Sequence, residues 1–289
     1  MYNLRYHVAS LVAVFLSLAV GLLLGTVVAE RGMITDQSSA LVADLQTRFN
    51  EIDVANAELR DGLARDRAFA EDAADALVAG RLEGMRVAVL VGTGRSDGRG
   101  AVEEAVAAAG GTTVIVPISV EGLGLDTTEP EGLAGYFHGR DIEMATPGEE
   151  LERQVAVSLV EELRSGGERP LSDLLTEAGL LGPVESADGT DTVDAVVLMS
   201  ATADGCDPFA LAVGRAMADA GGASVGAEAA TATGALAEAC ADAGLSAVAH
   251  VTTAQGRLSL VWILGGLADG YFGAGDGADG FYPSLVPGD

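Results

Sequence analysis

An uncharged stretch near the N-terminus dominates the hydropathy pattern. From Val8 to Ala29 the chain reads VASLVAVFLSLAVGLLLGTVVA, 22 residues without a charge. Wound as a helix this segment is about 33 Å long, the thickness of a bilayer core. Arg5 and the α-amine precede it, and Glu30, Arg31 and Asp36 follow. That bias predicts a cytoplasmic N-terminus and places everything after residue 30 outside the cytoplasm. A cleaved signal peptide is the competing reading, with Val27 and Ala29 as the small-residue cleavage positions. The run exceeds the roughly 7 to 15 apolar residues of a signal sequence, so a retained anchor over residues 1–33 is expected, held by lipid through residues 8–29. Small residues recur at every fourth position, and Gly21 with Gly25 forms a GxxxG pair. Such a ridge lets two helices approach closely and marks a candidate dimerisation face. Apolar spans rich in Ala and Gly also contain such rows by chance, and both readings stay open.

Residues 34–84 lack proline and predict a helical stalk, roughly 75 Å long if extended. Leu45, Ile52 and Leu59 recur at steps of seven. Leu63, Ala70 and Leu77 recur likewise after an offset of four, which reads as a heptad seam with a stutter near Gly62. A dimeric coiled coil and an amphipathic helix packed on the following domain both fit.

From Met85 the texture changes to short Val-rich runs alternating with helical patterns. Strands are expected at Met85–Val91, Thr113–Ile118, Val193–Ser200, Ala223–Gly226 and Ala247–Val251. Helices are expected at Ala101–Ala109, Leu151–Arg164, Pro208–Ala220 and Leu258–Asp269. The alternation predicts a mostly parallel, doubly wound α/β domain over 85–289, its crossovers right-handed. The apolar run Leu258–Ala268 is too short to cross a bilayer and reads as a core helix. The loop Gly92–Gly100, GTGRSDGRG, lies where such folds bind ligands. It is no dinucleotide fingerprint, because Asp97 fills the slot of the third glycine. Turn glycines explain it, and a small-molecule sensor is its weaker functional reading.

Composition then removes whole classes of function. A net charge of −27 argues against nucleic acid, whose phosphates need clustered basic residues. The sixteen basic residues are all Arg. Without a lysine there is no P-loop amine and no Schiff base. A GC-rich genome or a high-salt habitat would each give this composition. The three histidines, His7, His138 and His250, fall in no HExxH or paired Cys–His motif, and there is no GxSxG elbow, so the chain reads as a non-enzyme. Carboxylates such as Glu149, Glu150, Glu152, Glu161 and Glu162 read as solvated helix faces. Asp276 and Asp279 lie in a Gly- and Asp-rich tail whose spacing fits no calcium loop. Cys206 and Cys240 make no zinc motif; a disulfide and two buried thiols are equally compatible with them. A soft-metal site assembled from Met199, Cys206, Cys240 and His250 is the one copper candidate, and core packing explains each of the four as well.

Three segments carry a resemblance: NLRYHVASLVAVFLSLAVGLLLGT at the start, the strand and loop RVAVLVGTG, and the closing block HVTTAQGRLSLVWILGGLADGYFGAGDGADGFYPSL. In the last, Thr253, Gly256, Arg257, Tyr271, Gly273, Gly275, Gly277, Ala278 and Asp279 hold the pattern. The chain resembles the actinobacterial copper transport protein MctB family. The resemblance implies copper transport or homeostasis in the cell envelope, with copper as the only metal in view. Because one helix encloses no pore, conduction would be oligomeric or belong to a partner. The alternative of a different class is a homodimeric coiled-coil scaffold that binds an envelope partner in cell division or wall remodelling.

Overall fold

The structure is a computed structural model and describes residues 4–30, 33–92, 97–119, 121–125, 130–185, 192–203, 205–232, 235–275 and 277–285. The chain divides into two units, Met1–Asp66 and Arg67–Asp289. The first holds α1 (Leu4–Glu30) and most of α2 (Met33–Val78). Helix α1 is long and apolar enough to cross a membrane, and its Leu, Val and Phe side chains are exposed all round. A lipid solvent would satisfy that surface; water would not.

Helix α2 ends at Val78, six residues before the predicted end of the stalk at 84, and Gly80 and Gly84 take positive φ in the turn that follows. The helix is continuous through Gly62, so no break accompanies the four-residue offset. Val42, Phe49, Asn56 and Leu63 fall at steps of seven, and the first three stand three residues ahead of Leu45, Ile52 and Leu59. Together they are the a and d rows of one uninterrupted register, and the apparent stutter is the ordinary d-to-a step from Leu59 to Leu63. Asn56 is the polar a position within this otherwise apolar seam. The next d position is Asp66, where the seam stops. Beyond it, Ala74, Val78 and then Leu82 are buried in the second unit, with Leu77 packed beside them.

The second unit is built on a six-stranded parallel sheet. Its strands are β1 (Arg86–Gly92), β2 (Thr112–Ile118), β3 (Ala195–Met199), β6 (Ala223–Ala227), β7 (Ser246–Val248) and β8 (Tyr271–Phe272), in the order β2-β1-β3-β6-β7-β8. A two-stranded antiparallel hairpin, β4 (Ala201–Thr202) with β5 (Gly205–Cys206), leaves the end of β3. Strand β1 reads as a continuous apolar run because both sheet faces are covered. On one face lie α4 (Leu133–His138), α5 (Glu149–Ser165), α6 (Pro170–Glu177), α7 (Pro208–Asp219) and α8 (Ala235–Asp242), around Leu90, Val116, Leu198 and Phe209. On the other lie α3 (Arg99–Ala108), α9 (Ala254–Leu264) and the end of α2, around Val89, Val197, Val225 and Val261.

One crossover departs from the expected hand. The chain moves outward from β3 through β6 to β7 with α7 and α8 on the first face, then continues outward to β8 with α9 on the second. That connection is opposite in hand to the rest, a rare arrangement in parallel sheets. Helix α9 buries Leu258, Leu260, Val261, Ile263 and Leu264, and only α3 and the end of α2 would otherwise cover the second face of six strands. Burying LSLVWIL there outweighs the preference for hand. Both sheet edges are capped by short segments: Ile115 of β2 exchanges two backbone hydrogen bonds with Glu185, and Phe272 of β8 bridges to Gly280. Covered edges do not template aggregation.

Candidate functional site

In a parallel sheet of this order the ligand crevice lies at the carboxyl ends of β1 and β3, where the strand order reverses. Here the two strand ends close on each other. A Cβ on Gly92 would lie 2.6 Å from the Ser200 hydroxyl oxygen, and Ser200 itself is buried. Gly98, in a left-handed conformation, begins α3 and packs on Met199, Ala229 and Val251. Gly92 and Gly98 of the predicted loop therefore serve close contact and a turn, and Gly100 lies in the first turn of α3 with nothing within 4 Å; residues 93–96, including Gly94, lie outside the described residues.

The buried carboxylates Asp207, Glu228 and Glu162 are spent on backbone. Asp207 is 1% exposed; its carboxylate accepts from Ala210 N at 3.0 Å, capping α7, and from Gly122 N at 3.0 Å. Glu228 accepts from Ala237 N at 2.9 Å in the first turn of α8. Glu162 is buried rather than solvated: it accepts from Leu171 N, Ser172 N and the Ser172 hydroxyl at 2.9 to 3.1 Å, so α5 caps α6. Local pattern hid this, because its donors lie nine and ten residues away across a turn.

The four expected soft ligands do not form one cluster. Cys206 at the end of β5 and Cys240 on α8 are buried in one cluster on the first face. The neighbouring Cys240 thiol, then burial, then the carboxylates of Asp207 and Glu228, push the Cys206 thiol far above its ordinary range. Met199 packs on the opposite face of the sheet. His250 is 4% exposed and its ring packs against Phe281 at a tilt of 40°, with centroids 4.3 Å apart. Neither ring nitrogen makes a hydrogen bond of normal geometry. Burial lowers the His250 pKa, opposed in part by the nearby backbone of Phe281 and Phe272. Among the described residues no group of three or more His, Cys, Asp or Glu side chains is arranged to hold a metal ion. His138 is exposed in the last turn of α4 and His7 is exposed on α1. The Gly21–Gly25 ridge of α1 lies open, with nothing within 4 Å of where either Cβ would stand.

A family model described as copper transport outer membrane protein, MctB, matches residues 1–283. The chain belongs to this family. No curated protein and no solved structure matches. The MctB match makes the chain a copper-transport-related envelope protein, and with α1 it identifies a membrane-associated one.

The MctB-like closing block now has a physical account. Thr253 caps α9, its hydroxyl accepting from Gly256 N at 3.1 Å and donating to the His250 carbonyl at 2.9 Å. A Cβ on Gly256 would collide with that same carbonyl, so the helix can start against the strand end only with glycine there. Arg257 follows on α9, lining a cleft with Glu71, Asp75 and Glu104. Asp279 accepts from Tyr271 N at 2.9 Å, and Gly275 leaves room for the Tyr271 hydroxyl. The block fastens α9 and β8 to the sheet.

Proposed function

We propose that this chain is a single-pass anchor protein of copper transport in the cell envelope. Its N-terminus is cytoplasmic, its α/β domain lies outside, and it works as a homodimer. The observation that carries the copper reading is the family match over residues 1–283, which favours it over the division or wall-remodelling scaffold. The charge bias around α1 supports the orientation.

The dimer rests on the α2 seam. Val42, Leu45, Phe49, Ile52, Leu59 and Leu63 are each 45 to 65% exposed along one stripe. Two copies anchored in one membrane are parallel at this stripe. In that arrangement Asn56 at its a position meets the same residue of the second copy, a pairing that fixes register and favours two strands at a cost in stability. Arg48 at a g position faces the partner's Asp53 at the following e position. The open Gly21–Gly25 ridge would extend the contact into the membrane. One helix per chain encloses no pore, so copper passes through an assembly or a partner. We read no enzyme chemistry into the domain, because Asp207, Glu162, Glu228 and Thr253 are occupied as backbone caps. The four expected soft ligands lie on both sides of the sheet, so we assign copper no resident four-residue site within it.

Deletion of the coding sequence is the test. Loss of copper tolerance with altered cell-associated copper, restored by the full chain, is expected. Unchanged tolerance and copper content would sink the copper reading.

A further inference from the structure

The contact between Cys206 and Cys240 is built by glycine on both sides. Gly205, at φ 136, brings the β4–β5 hairpin down onto α8: a Cβ there would lie 2.9 Å from Ala239 Cβ and 3.2 Å from the Ala235 carbonyl. Gly226 of β6 makes the seat for the other thiol, since a Cβ on it would lie 2.5 Å from Cys240 Sγ. Cys240 is fully buried and Cys206 9% exposed, in one core cluster where α8 packs against β5. The neighbouring carboxylates are held by helix N-termini, and Met199 lies across the sheet. A two-thiol pair with no third soft ligand among the described residues is a better precursor of a bridge than of a metal cage.

We propose that Cys206 and Cys240 are joined by a disulfide in the mature protein, bolting the β4–β5 hairpin to α8. The inference rests on the placement of the domain outside the cytoplasm, where disulfides form and persist. The oxidant is the disulfide form of a thioredoxin-fold thiol oxidase. Its disulfide is attacked by one cysteine of the pair as thiolate, and the mixed disulfide is resolved by the other. The Cys206–Cys240 S–S bond forms, two thiol protons leave, and the electron pair reduces the oxidase to its dithiol. Exchange takes place before the hairpin closes on α8, because in the folded domain both sulfurs are shielded and the Cys206 thiol resists ionisation. Once bridged, the pair offers Cu(I) no thiolate, so copper handling by this domain does not depend on it.

The full chain, purified from membranes in mild detergent without reductant, is treated with a maleimide under denaturing conditions and weighed intact. The expected product carries no adduct and is lighter than the reduced chain by two hydrogens; after reduction it carries two adducts. Protease added to spheroplasts reports in parallel where the domain lies. Two adducts without reductant, in a domain that protease reaches from outside, overturn the disulfide while leaving the placement intact. Two adducts in a domain protected from protease show instead that the placement has failed, and the disulfide with it. Adducts that appear only after a Cu(I) chelator has been added overturn the proposal in favour of a copper-bound dithiolate. Reductant is expected to lower the unfolding midpoint by about 10 °C in the native chain. It leaves a Cys206→Ala/Cys240→Ala variant unmoved. Equal responses of the two would overturn the bolting role.

Discussion

At the scale of single residues, backbone access and desolvation decide more than side-chain chemistry. Gly256 is the sharpest case, because the obstruction facing it is the His250 carbonyl and not a flexible side chain. Gly256→Ala is expected to cost about 3 kcal/mol, read as a lowered denaturation midpoint at unchanged slope. A midpoint within a few tenths of a kcal/mol of the parent would show that α9 can shift away. His250 makes a second prediction, about pH. Its folded pKa lies below the ordinary 6.5, so below that value the unfolded chain binds more protons than the folded one. The neutral ring's contribution is fully present above pH 6.5 and is lost as pH falls through the window beneath it. His250→Phe should keep the ring contact with Phe281 and flatten that loss, measured as the difference between the two proteins at pH 5.5 and 7.5. The comparison is needed because a chain of net charge −27 also sheds self-repulsion on acidification. Parallel pH profiles would remove His250 from the explanation.

At the scale of elements, α2 separates two roles along one helix. Up to Leu63 its a and d rows face out, and from Ala74 onward its apolar residues are buried in the domain. The proposed seam of about three heptads is short and Asn56 would weaken it, so its strength would rest on Phe49, Ile52 and Leu59 together. Ile52→Asp with Leu59→Asp should convert a cross-linkable dimer in detergent to monomer while leaving domain unfolding unchanged; a persistent dimer would shift the assignment to the Gly21–Gly25 ridge. The large elements were legible in the sequence. The hydrophobic period located α1, α3, α5, α7 and strands β1, β2, β3 and β6 to within a few residues. Helix α9 begins four residues earlier than its apolar run, because the Thr253 cap and Gly256 extend it toward the strand. The short α4, α6 and α8, the β4–β5 hairpin and β8 were not legible. Each is too brief to show a period, and each is held by distant partners, as α6 is by Glu162 and α8 by Glu228.

At the scale of the whole molecule, α1 is long and apolar enough to cross a membrane and, with the MctB match, marks the chain as membrane-associated. A chain lacking residues 1–33 should leave the membrane fraction on cell breakage, tested by sedimentation before and after a salt wash. Retention in the membrane would mean that the domain or the seam binds a second membrane component. The sequence by itself determined the apolar first helix, the long second helix, the parallel α/β class and the family resemblance, because each rests on local period, composition or contiguous motif. Only the tertiary structure decided which soft ligands meet, which carboxylates are buried, and on which face α9 lies. Cys206 and Cys240 are 34 positions apart, and nothing local couples them until α8 folds onto the hairpin. Met199 is seven positions from Cys206 yet lies across the sheet, because strand residues point alternately to opposite faces and the chain then turns away into the hairpin.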